Sequence, residues 1–240
     1  MQGLVSQRLN EFITGPTFYP TGEITGALNE AYRFFVLLTL GLEKTTAWNV
    51  QAATTYFHML QLSQSGNPLF PDWICPLRLT TSTGAKVRPA RLEDLNCLDS
   101  QWPSSPGAPV RYCHSGADFL ALYQQPALTG TTLQVTYCRG PVILVNAGDT
   151  PEIPAEYHPR LVDYGIYRCR QVEGAQQFEK ALAYLKDFFE GAKHYAAYVR
   201  SRNLGSRYDK VPFEIETYDM SKLLKLRRDL VPSRSTAPQG

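Results

Sequence analysis

Apolar positions near the start of the chain recur at helical spacing. Val5, Leu9 and Phe12 share one face of a short first helix, which Gly15-Pro16 stops. A second helix opens near Thr21, which is placed to cap it, and Glu23 falls in the first turn, where the helix dipole favours an acid. Ile24, Leu28, Ala31, Phe35, Leu38 and Leu42 then alternate four and three apart, the seam of a helix buried along one side. Gly41 and the polar run Glu43 to Thr46 are expected to end it.

From Thr45 to Val145 the period shortens. Thr55 to Leu62 alternates as a strand does, although a helix also fits there. Trp73 to Thr81 reads as a strand, and Ser82-Thr83-Gly84 turns it into Ala85 to Pro89. Arg91 to Leu98 fits a short helix. Val110 to His114, Phe119 to Gln124 and Thr131 to Arg139 add further strands separated by turn residues. The expectation is a small antiparallel β module, a sandwich or half-barrel.

Helical spacing returns after Pro154. Val162, Ile166, Cys169 and Val172 mark one helix, and Phe178, Leu182, Leu185, Phe189, Ala192, Ala196 and Val199 mark a longer one closed by Asn203-Leu204-Gly205. Each helical seam needs a cover, so the two ends are placed together. The fold class expected is α+β: a helical bundle of N- and C-terminal helices with an inserted small antiparallel β module and an extended C-terminal arm. The divisions are 1–44 and 151–203 for the helices, 45–150 for the β module and 204–240 for the arm.

Composition adds a little. Hydrophobic residues make up 43% of the 240, enough for a core, while charged residues at 19% fall below the roughly 25% usual in soluble domains. A chain so sparing of charge has surface to give to partners. Its net charge of +2 is not that of a dedicated nucleic-acid binder, yet Lys222, Lys225, Arg227, Arg228 and Arg234 cluster against the single acid Asp229. The five cysteines form no C-x-x-C pair and read as reduced thiols of a protein made in the cytoplasm. The N-terminus carries no signal-peptide pattern, and no apolar run reaches the roughly 18 residues of a membrane span.

Candidate chemistry is sparse. No phosphate-binding loop or nucleophile elbow occurs, and the four histidines are scattered. Cys113 and His114 are adjacent on a strand and so face opposite ways, which bars a shared proton. The acids Glu93, Asp94, Asp149 and Glu152 belong to loops or helix starts. No catalytic residue, cofactor or metal ligand is assigned. Trp73 and Trp102 read as core anchors. Tyr184, Tyr195 and Tyr198 lie off the seam of the last long helix, as core rim or as a subunit or partner interface, since aromatics are enriched at interfaces. The basic stretch fits a solvated face, docking on an acidic protein surface, or contact with DNA phosphates, and the absence of a stacking aromatic argues against a single-strand reader.

In the order of its elements, from Leu4 to Asn203, the chain resembles the head–tail adaptor (connector) proteins of tailed bacteriophages. The likeness is carried by the helix Glu23 to Leu42 after a Tyr-Pro turn, and by the strand starting Phe70-Pro71-Asp72-Trp73-Ile74. It continues through Leu92-Glu93-Asp94-Leu95 with Gln101-Trp102-Pro103 and Gly107-Ala108-Pro109-Val110-Arg111-Tyr112, then Phe119 to Pro126, and Ile153-Pro154-Ala155-Glu156-Tyr157. The resemblance implies a non-enzymatic virion neck protein, made in the host cytoplasm. Copies would form a ring, usually dodecameric, below the portal protein. The ring would contact a tail nozzle or the next neck protein and pass DNA non-specifically through its channel, with no membrane partner. It also implies that the arm grips the portal, through Phe213, Ile215, Lys222, Leu223, Leu224, Lys225, Leu226, Arg227 and Arg228. Other ring-forming neck components, a stopper or a tail-completion protein, share this physics, and a small hydrolase with an unrecognised site is the enzyme alternative.

Overall fold

Helix α1 (Gln2–Arg8) sets Val5 into the core, and α2 (Thr21–Thr39) follows. The computed structural model of the chain describes residues 1–9, 19–64, 66–116, 118–127, 130–146, 148–172 and 175–202. Phe12 and the arm at 204–240 lie outside them. Pro20, not Thr21, is the N-cap of α2, and Glu23 does stand in its first turn. Five of the six expected seam residues, Ile24, Leu28, Ala31, Phe35 and Leu38, are buried on α2, and Leu42 is buried beyond its end. The helix ends one residue before Gly41: Leu40 takes the left-handed conformation (φ 50°) and its N–H donates to Val36 O at 2.8 Å.

Helices α3 (Leu92–Leu98), α4 (His158–Val172) and α5 (Ala175–Arg202) complete the set. Along α4 and α5 the ring of Tyr157 meets Tyr195 (4.7 Å between centroids), Tyr164 meets Phe188 (4.9 Å), and the Arg170 guanidinium lies over Tyr184 (5.3 Å). Residue numbers rise on one helix as they fall on the other, so the pair is antiparallel. Phe34 and Phe35 of α2 enter the same aromatic cluster through Phe188, Phe189 and Tyr195.

Among the described residues seven strands form the main sheet, β1 (Glu43–Val50), β2 (Tyr56–His58), β3 (Trp73–Thr81), β4 (Lys86–Pro89), β5 (Arg111–Ser115), β6 (Phe119–Tyr123) and β7 (Thr131–Arg139), and four two-residue strands make two small side pairs. The order in the main sheet is β1-β7-β3-β4-β5-β6-β2. The sheet curls: Trp48 on β1 and Phe57 on β2, from opposite ends of that order, touch edge-to-face at 4.6 Å. Leu79, Val87, Tyr112, Leu120, Leu122, Leu133, Val135 and Tyr137 fill the interior with them.

The expected fold class is therefore corrected. The chain is a mixed α+β protein dominated by this large curled sheet, not a helical bundle carrying a small β module. Nor is the sheet wholly antiparallel, because β4 and β5 run parallel, with Arg88 opposite Arg111. Six of the seven strands were expected, but their union into one sheet rests on long-range pairing, and β1 was missed altogether. Its polar run Glu43 to Thr46 looks like a loop in sequence, but pairing with β7 from Glu43↔Cys138 to Val50↔Thr131 supplies its order, and only its inward positions Trp48 and Val50 are buried.

The two layers meet where the outer surface of β3 and β7 turns toward the helices. Cys138, with Ile74, Cys75 and Leu77 beside it, packs into the helical core. Burial pushes the Cys75 thiol up to about 11, and raises that of Cys138 as well. On the far side, Leu95, Trp102, Cys113 and Ala121 form a third, smaller cluster under α3, with Trp102 Nε1 donating to Asn96 at 2.7 Å.

Candidate interaction surfaces

Three of the acids and the thiol that sequence brought up as chemistry have structural tasks; Glu93 is exposed in the first turn of α3. Asp94 accepts from the Arg91 N–H at 3.3 Å and caps α3. Asp149 accepts from the Val145 and Asn146 N–H groups, both at 2.7 Å, and these donors hold its carboxyl below the usual range. Glu152 pairs with Arg139. Cys113 is buried, and burial raises its thiol, the opposite of what an activated nucleophile needs; His114 beside it is exposed. Among the described residues no group of three His, Cys, Asp or Glu is arranged to hold a metal, and no helix is long and apolar enough to cross a membrane.

Between β7 and α4 the chain runs as a strap over α2. The Gly140 N–H donates to Asp72 O at 2.6 Å, fixing its start. Asn29 of α2 then grips Leu144 with both halves of its amide: Nδ2 donates to Leu144 O at 2.8 Å, and Oδ1 accepts from Leu144 N–H at 2.7 Å. A side chain thereby supplies the two bonds that a neighbouring strand would. Further on, the Glu152 N–H donates to the Tyr32 hydroxyl at 2.7 Å, and Ile153 is buried. The Tyr32 hydroxyl is pushed up to about 12, chiefly by burial and also by the Glu152 charge, while the Glu152 N–H bond opposes the shift.

This fastening turns Leu144 inward and leaves Val142, Ile143 and Val145 outward, at 59%, 70% and 72% exposed. β-Branched side chains on a backbone already fixed lose little freedom when a partner covers them. These three are the most exposed of the large apolar residues described, which makes the strap a candidate interaction surface. Sequence reading did not single it out. Its signal was there, in four apolar residues (142–145) after Pro141 at the close of the β region.

Of the three tyrosines assigned to an interface, one is misplaced by that assignment. Tyr195 is 5% exposed and stacks on Phe35 (5.6 Å), so its ring belongs to the subunit's own core. The helical seam is wider than the spacing implied, with Phe188 and Tyr195 inside it. Tyr184 is half-buried under Arg170, and Tyr198 is 42% exposed, at the outer end of a stack on Tyr195. Phe213, Ile215, Lys222, Leu223, Leu224, Lys225, Leu226, Arg227 and Arg228 lie outside the described residues.

Compared with known proteins, the chain matches the family model described as SU10 adaptor protein over residues 1–209. No curated protein matches it.

Proposed function

This chain belongs to the SU10 adaptor protein family, and from that premise we propose that it is a structural component of a phage virion, the adaptor that joins head to tail. Copies assemble into a ring below the portal protein, bind the next neck or tail component, and leave a channel through which DNA passes. The observation that carries this reading is the family match, which spans nearly all of the chain, including every described residue. Two features of the chain support it. Asp94, Asp149, Glu152 and Cys113, which looked like candidate chemistry, serve helix capping, a turn, an ion pair and the core, as a protein working by contact allows. The fixed strap with Val142, Ile143 and Val145 outward supplies an apolar surface for a neighbour.

In this reading residues 204–240 form the portal-docking arm. Leu223, Leu224 and Leu226 provide its anchor, and Lys222, Lys225, Arg227 and Arg228 provide orientation and association rate more than affinity. Deleting 204–240 should leave a soluble chain with unchanged melting temperature that no longer attaches to portal-bearing heads. A truncated chain that still attaches and yields infectious particles overturns the arm's role.

A further inference from the structure

The outer face of the curled sheet carries a row of cations that no described residue neutralises. Leu79, Val87 and Tyr112 point into the sheet's interior, so by alternation Arg78 and Thr80 on β3, Lys86 and Arg88 on β4, and Arg111 on β5 point outward. Register brings them together. Thr80 pairs with Lys86, Leu79 with Val87 and Arg88 with Arg111; extending the β3–β4 register by one pair sets Arg88 beside Arg78. Three arginines from three adjacent strands then stand in one line, spaced about 4.8 Å from strand to strand.

The line is electrostatically one-sided. Strands β3, β4, β5, β6 and β7 contain no Asp or Glu. Among the described residues, none of Arg78, Lys86, Arg88 and Arg111 takes part in an ion pair or a side-chain hydrogen bond. Three arginines of the helical layer differ: Arg8 and Arg160 meet Asp163, and Arg168 meets Glu30. Like charges directly opposite one another in a sheet are destabilising, and an external anion between them relieves that repulsion.

The rest of the face says what kind of anion. Thr136, opposite Arg78, is buried and bonded to Thr45 at 2.9 Å, and the open surface beside it is Thr45, Asn49, Thr132 and Gln134. These are short hydrogen-bonding groups of the kind that contact phosphate and sugar oxygens. A protein–protein interface would centre on buried aromatic or aliphatic anchors, and a single-strand reader would offer stacking rings. At the outward positions beside the arginines, Thr80, Lys86, Thr132 and Gln134, there is neither; Ile74 and Leu77 farther along β3 are already covered by the helical layer.

We propose that the outer face of β3, β4 and β5, through Arg78, Lys86, Arg88 and Arg111, binds the phosphate backbone of double-stranded DNA without regard to sequence. This deepens the adaptor reading, on which the presence of DNA beside the chain rests. It names which surface faces the passing duplex.

The test uses the full chain and a short fluorescent duplex of mixed sequence, with anisotropy read over a range of KCl. Four neutralised phosphates give a slope of log K against log salt of about −3.6. The triple variant Arg78→Gln/Arg88→Gln/Arg111→Gln should bind at least about tenfold more weakly and lose about 2.7 of that slope. The matching Arg→Lys triple should keep the slope, because the charge remains. The proposal is overturned if wild type does not bind duplex at low salt, or if the Gln triple binds unchanged, which would assign binding to cations elsewhere. It is also overturned if the Lys triple fails as the Gln triple does, or if poly-glutamate competes as well as DNA, which would point to an acidic protein. Attachment to portal-bearing heads is scored separately. Wild type that binds DNA and never attaches sinks the adaptor reading while upholding this surface, and the Gln triple is expected to attach.

Discussion

The ring of Tyr195 lies directly against the backbone of Gly41, so close that a β-carbon at position 41 would sit 2.8 Å from the ring's Cζ. This contact fastens α5 to the point where α2 hands the chain over to the sheet. Gly41 is needed for space and not for conformation: the left-handed residue at the helix end is Leu40. Gly41→Ala should therefore force the aromatic stack of Tyr195, Phe35 and Tyr157 to shift, costing about 1–3 kcal/mol. Urea denaturation of the variant reads this directly, and an unchanged midpoint would show that the stack yields without strain.

Phe188 should matter more than the seam residue beside it. It is fully buried and touches Phe34, Phe35, Tyr164 and Phe189, whereas Phe189 is 9% exposed. Phe188→Ala should cost about 3–5 kcal/mol, and Phe189→Ala less. Paired denaturation curves settle the order; a costlier Phe189→Ala would mean that the centre of the helical core lies elsewhere.

Alkaline pH should loosen the strap. The Tyr32 phenol stands near 12 in the folded chain against 10.0 unperturbed. An acid whose folded value is raised contributes stability that is complete below the unfolded value and is lost as pH rises through the folded one. Between pH 10 and 12 that loss amounts to about 2–3 kcal/mol. Tyr32→Phe leaves the Glu152 N–H without its acceptor and so is less stable at neutral pH. Its stability should nonetheless fall less steeply than wild type from pH 10 to 12. Equal slopes for the two proteins would remove Tyr32 from the account.

Elements were legible wherever local pattern decides them. Trp73–Thr81 and Thr131–Arg139 have in the structure the limits that alternation gave them, and the five expected seam positions that lie on α2 are buried. What stayed hidden depends on long-range pairing. β1 carries Glu43-Lys44-Thr45-Thr46, and its strand order comes from β7, some ninety residues later. The other six strands were expected, but not that they pair into one curled sheet. Tyr195 looked like a rim residue because the seam was drawn through Phe189, while Gly41 opens a slot that only the folded chain reveals. The cation row is invisible for the same reason. Arg78, Arg88 and Arg111 are scattered along the chain, and register alone makes them neighbours, so attention fell on the basic run at 222–228 instead.

The central claim is that copies of this chain form a ring under the portal. Electron cryomicroscopy of portal-bearing heads, incubated with the purified full chain and compared with heads alone, tests it most directly. The account predicts an added ring of density on the tail side of the portal, coaxial with its channel, into which the curled sheet and helical layer fit as repeated copies. Heads that show no added density at saturating protein, or protein bound away from the portal vertex, would contradict it.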